Sequence, residues 1–122
     1  MVSEELKQNT RRNTVEVLIL FSDFAEQERY QDAVPFVHVP DEMACLWYEY
    51  SNLLSEQAWY RDLFTPDVLV AVRTFDAQFK RAMTELGSDL PELSTLQKRS
   101  TWKRLSTSAN ALLEIIHRED GR

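Results

Sequence analysis

The stretch TPDVLVAVRTFDAQFKRAMTELG, residues 65–87, specifies a helix at both ends and along its length. Thr65 can accept from free backbone N–H groups as an N-cap. Pro66, at the first helical position, gives up a donor that has no partner there, and Asp67 complements the positive end of the helix dipole. Val68, Val72, Phe75, Phe79, Ala82, Met83 and Leu86 recur at spacings of three and four, and Gly87 supplies the left-handed residue that typically closes a helix. Arg73, Lys80, Arg81 and Glu85 fall on the other side. Asp76 and Lys80, four apart in the favourable acid-first order, read as an ion pair on that same side. At roughly 1.5 Å per residue the helix is about 30 Å long, the diameter of a small domain, so the rest of the chain must pack along it.

With 122 residues, 43% of them hydrophobic, the chain can bury one core but not two. Two glycines and four prolines supply too little turn chemistry for a sandwich or barrel. The fold predicted is an all-α, single-domain bundle of about five helices around 65–87, with a flexible or weakly helical lead-in over 1–13 and the helical domain over 14–119. No apolar run is long enough to cross a bilayer, and the polar start lacks the apolar core of a signal peptide, so the expected location is the cytoplasm, with no membrane partner. The lone Cys45 excludes an intramolecular disulfide and a cysteine-only metal site.

The net charge of −6 is unevenly spread. Between Val15 and Asp67 eleven acids face only Arg29 and Arg61, whereas six bases outnumber three acids from Gln97 onward. Such an acidic half repels polyanions and attracts basic partners.

Taken in order, Thr14 is placed as the cap of one helix running to about Gln31, although Val15 to Phe21 on its own also reads as a strand. Pro35 and Pro40 bracket an extended connection holding His38, a histidine read as hydrogen-bonded among valines. Pro40, Asp41 and Glu42 open a second helix with Met43, Leu46, Trp47, Tyr50, Leu53 and Leu54 as its stripe. A short helix from Ser55 to Phe64 turns Trp59 and Leu63 inward and sets Tyr60 at the edge. Pro91 starts a turn in which Ser94 and Gln97 have capping-box spacing. Ser100 caps a last helix whose buried stripe is Trp102, Leu105, Ala109, Leu112, Leu113 and Ile116. Ser106, Thr107, Ser108 and Asn110 in its middle are poor helix formers, which packing must hold.

Two surfaces carry chemistry. Asp41, Glu42, Cys45, Tyr48, Glu49 and Asn52 share the polar face of the second helix, three carboxylates around a tyrosine with no base on the same face. Tyrosine among carboxylates suits a partner that presents lysines and arginines. The expected function is therefore a non-enzymatic protein-binding module that docks on a basic protein. Physically it resembles, in composition alone, an immunity or antitoxin-type inhibitor.

The alternative is a nucleic-acid-associated regulator using Lys98, Arg99, Lys103 and Arg104. Against it stand the acidic majority and Trp102, which the stripe assigns to the core.

Glu114 and His117 have the E-x-x-H spacing of di-iron bundles, but a single copy cannot build such a site, so no metal or other cofactor is expected. Carboxylates around Cys45 would raise its pKa rather than activate it, and no phosphate loop, H-E-x-x-H or G-x-S-x-G element occurs. No catalytic residues are assigned, and an enzyme with dispersed catalytic groups is kept as a third class. Self-association is left open.

Overall fold

The computed structural model describes residues 1–121. Among these residues every regular element is a helix: α1 Glu4–Ser22, α2 Phe24–Ala33, α3 Val39–Glu56, α4 Ala58–Arg61, α5 Pro66–Leu86, α6 Leu93–Leu96 and α7 Ser100–Asp120. Two of the seven, α4 and α6, are single turns, so the molecule is the expected all-α bundle with five longer helices.

The central helix is built as its sequence dictates. Thr65 Oγ1 accepts from the Val68 N–H, Pro66 stands at the first helical position, and Val68, Val72, Phe75, Phe79 and Ala82 are buried. Gly87 closes the helix at φ 82° and ψ −177°, a region that is essentially open to glycine alone. α7 runs antiparallel beside α5, with Glu85 near Thr101 and Arg104, and Gln78 bonded to Ser108. α1 lies antiparallel along α7, tied by Arg11 to Asp120 at 2.8 Å and by Ser106 to the Ser22 carbonyl at 3.0 Å.

Phe21 of α1 meets Phe75, Phe79 and Trp102, while Trp47 of α3 stands edge-on to Phe75 with ring centroids 4.7 Å apart. This aromatic cluster is the middle of the core. Such edge-to-face pairs add about 1 kcal/mol each beyond their buried area.

Three expectations change at the N-terminal end. Residues 4–13, expected within a flexible or weakly helical lead-in, are part of α1: Ser3 caps the helix by accepting from the Leu6 N–H, and Glu4 and Glu5 complement the dipole in the first turn. Thr14 is accordingly not a cap but an interior residue, fully buried, whose hydroxyl bonds the Thr10 carbonyl and lies 2.9 Å from the Tyr60 hydroxyl. Residues 15–21 are helix, yet the expected single helix over 14–31 breaks at Asp23. Asp23 leaves helical geometry at φ −127° and ψ 104°, and its carboxylate accepts from Ala25 and Glu26 to start α2.

A break inside a core exposes carbonyls that must find donors. Gln27 supplies them from α2, its Nε2 donating to Leu20 O at 2.9 Å and Phe21 O at 3.2 Å. Its Oε1 accepts from Trp102 Nε1 and Gln97 Nε2, each at 3.1 Å. One fully buried amide thus joins the α1–α2 break to α6 and α7.

The other caps also differ. Glu92 rather than Ser94 precedes α6, and Ser100 is the first residue of α7 rather than its cap. Tyr60, expected at the edge, is wholly buried, stacked on Tyr50 and held by Thr14. Among the described residues no helix is long and apolar enough to cross a membrane.

Candidate functional site

The polar face of α3 is set by what its opposite face must bury. Met43, Trp47, Tyr50 and Leu54 are buried in the core. At 3.6 residues per turn this turns Asp41, Cys45, Tyr48 and Asn52 outward as one stripe, with Glu42 and Glu49 on the next. All six are exposed.

Tyr48 is 43% exposed and does not hang free, since its ring stands edge-on to Phe79 with centroids 5.0 Å apart. The ring forms one wall of an open groove of about 950 Å³ between α3, the end of α5 and the turn after it, lined also by Asp41, Cys45, Met83 and Leu90. Lys80 reaches this groove from α5. It is a cation that the reading of α3 alone could not reveal, and it is paired with Asp76 at 3.3 Å.

Among the described residues Glu42 and Glu49 form no ion pair, and Asp41 meets only His38 Nδ1, at 2.8 Å and off the line of a good hydrogen bond. His38 Nε2 faces the Pro91 carbonyl at 3.1 Å, which pins the connection before α3 to the segment before α6. Burial pushes the Tyr50 phenol pKa up, and the carboxylates of Glu49 and of Glu16 on α1 raise it further. Glu16 and Glu49 thus both lie within electrostatic reach of that phenol.

The four residues of the alternative site are also exposed. Lys98 and Arg99 lie in the turn before α7, Arg104 reaches to Glu85 Oε2 at 3.3 Å, and Lys103 borders both the α5–α7 seam and the Asp23 side of α7. Trp102 is buried and donates to Gln27, so it is out of reach of a base. Glu114 and His117 are exposed, and no group of three potential metal ligands gathers among the described residues.

Compared with known proteins, the chain matches no family model, no curated protein and no solved structure.

Asp76 is the polar residue whose place the sequence reading missed. It is 8% exposed and its Oδ1 accepts from Trp47 Nε1 at 3.0 Å. The signal was its spacing, four after Val72 and three before Phe79, which puts a carboxylate on the apolar face and demands a buried donor.

Proposed function

We propose that this chain is a non-enzymatic protein-binding module whose α3 face docks on a basic protein, in the manner of an immunity or antitoxin-type inhibitor. The observation that carries the reading is Tyr48, half-exposed yet seated on Phe79, beside the stripe of Glu42 and Glu49, which have no ion-pair partner among the described residues. A braced aromatic loses little conformational freedom when it is covered. Unpaired carboxylates beside it steer a lysine- or arginine-rich partner and suppress acidic ones. A free, exposed Cys45 on the same face suits a reducing compartment, and the cytoplasm is the proposed place of action.

The test is an affinity capture from nuclease-treated lysate of the native host, at low and moderate salt, with wild type beside a Glu42→Lys, Glu49→Lys double variant. The expected result is a basic protein held by wild type, released as salt rises and absent from the double variant. Tyr48→Ala should then weaken that complex by about 2 kcal/mol. Identical recoveries from wild type and the double variant would remove the α3 face from the account.

A further inference from the structure

The seam between α5 and α7 carries a second site of different chemistry. On the side of these helices away from α1, an open groove of about 790 Å³ runs along their contact, within the range of small-molecule sites. Its walls include Val70, Ala71, Phe75, Ala111, Leu112 and Ile115, and Val70 is 65% exposed.

Along its middle the polar residues that also line it are already engaged, and Ser100 lies at the end where α7 begins. Thr74 Oγ1 donates to the Val70 carbonyl at 3.0 Å, Thr107 Oγ1 to the Lys103 carbonyl at 3.1 Å, and Ser108 is hydrogen-bonded across the seam to Gln78. With these groups committed, the groove offers a visitor apolar surface rather than a set of directional hydrogen bonds.

Charge is confined to the two ends. Lys103 and Arg104 stand at the end where α7 begins, and Asp67 stands at the other. Arg104 shares an exposed pair with Glu85, a contact weak enough to be exchanged, and Lys103 makes no ion pair among the described residues. From Asp67 to Gln78 the groove follows α5 for about 17 Å, the reach of a medium-length alkyl chain.

We propose that the α5–α7 groove binds a free monocarboxylate amphiphile, its apolar body along Val70, Phe75, Ala111 and Ile115 and its carboxylate at Lys103 and Arg104. The polarity of the groove fixes the direction, since the opposite orientation would set the carboxylate beside Asp67. This site is independent of the α3 face.

The experiment is calorimetric titration of the full chain with dodecanoate, held below its micelle-forming concentration, and with dodecanol as the uncharged counterpart. Ala111 and Lys103 are exposed, so Ala111→Trp and Lys103→Glu fill or recharge the groove without entering the core, and an unchanged melting temperature checks this for each. Wild type should bind dodecanoate at one saturable site. Ala111→Trp should weaken binding at least about tenfold and Lys103→Glu about fivefold, while dodecanol should not distinguish Lys103→Glu from wild type. Absence of saturable binding by wild type, or equal affinity in Ala111→Trp, would overturn the proposal. So would a wild-type dimer that Ala111→Trp splits, which would show that a second copy of the chain covers the groove.

Discussion

The polar groups inside this protein and those on α3 live under opposite conditions. Gln27, Asp76 and Thr14 are buried and each is matched to named partners, whereas Glu42 and Glu49 are exposed and have no ion-pair partner among the described residues. A buried polar group left without its partner costs the full desolvation of what it abandons. An exposed carboxylate is kept by water whatever its neighbours do. The interior polar set therefore holds the fold, and the α3 set is free to change without disturbing it. That freedom is what a binding surface needs.

Gln27→Leu should break this contrast most strongly. It keeps the approximate volume but strips the Leu20 and Phe21 carbonyls of their donor and leaves the Trp102 and Gln97 N–H groups without this acceptor. A loss of about 3 kcal/mol in urea unfolding is expected. If the cost were under 0.5 kcal/mol, on the order of an ordinary surface change, the break at Asp23 would not depend on its side-chain donors.

Asp76→Ala comes next, at about 2 kcal/mol, because it leaves the Trp47 indole N–H without its acceptor in the core. Asp76→Asn keeps an acceptor oxygen and should cost clearly less, so the pair of variants separates the hydrogen bond from the ion pair with Lys80. Equal losses would assign the stabilisation to the carboxylate charge instead.

Alkaline pH probes the interior without mutation. Burial pushes the Tyr60 phenol pKa far up, opposed in part by its hydrogen bond to Thr14, and burial also raises that of Tyr50. Above the ordinary phenol value of about 10 the unfolded chain releases these protons before the folded one does, so the unfolded state holds fewer protons and stability falls as pH rises. Below that value the contribution is complete. Absorbance titration of phenolate, followed beside far-ultraviolet circular dichroism, should show Tyr60 ionising only as helicity is lost. Full ionisation with intact helices would contradict the buried placement of Tyr60.

The smallest expected effect is on the surface side of the comparison. Glu49→Lys should change the stability read from urea unfolding by no more than about 0.5 kcal/mol, and Glu42→Lys by up to about 1 kcal/mol, because Glu42 also complements the dipole in the first turn of α3. A larger loss would mean that α3 needs these charges for its own stability, which would weaken their assignment to a partner.

How much of this was legible in the sequence depends on where each instruction resides. α5 carries its own cap, proline, stripe and closing glycine within residues 65–87, so local reading placed it to within a residue. The stripe of α7 was equally plain, because Trp102, Leu105, Ala109, Leu112, Leu113 and Ile116 keep one face throughout. The break at Asp23 was not, since the donors that make it tolerable include Ser106, distant in sequence, and Gln27 itself draws Trp102 and Gln97 to the spot. Ser106, a poor helix former by propensity, carries no local sign of its bond to the Ser22 carbonyl. The exposed face of α3 followed from its periodicity, but Phe79 under Tyr48 and Lys80 in the groove come from another helix.

Cys45 offers the most direct test of the central claim, that the α3 face is a docking surface for a basic protein. It is the sole cysteine, exposed and inside the face, so a maleimide-linked photo-crosslinker placed there samples what covers Asp41, Tyr48 and Glu49. In lysate of the native host the account predicts a light-dependent adduct with a basic protein, lost when the labelled chain also carries Glu42→Lys and Glu49→Lys. The same adducts from both chains, or none from wild type, would contradict it.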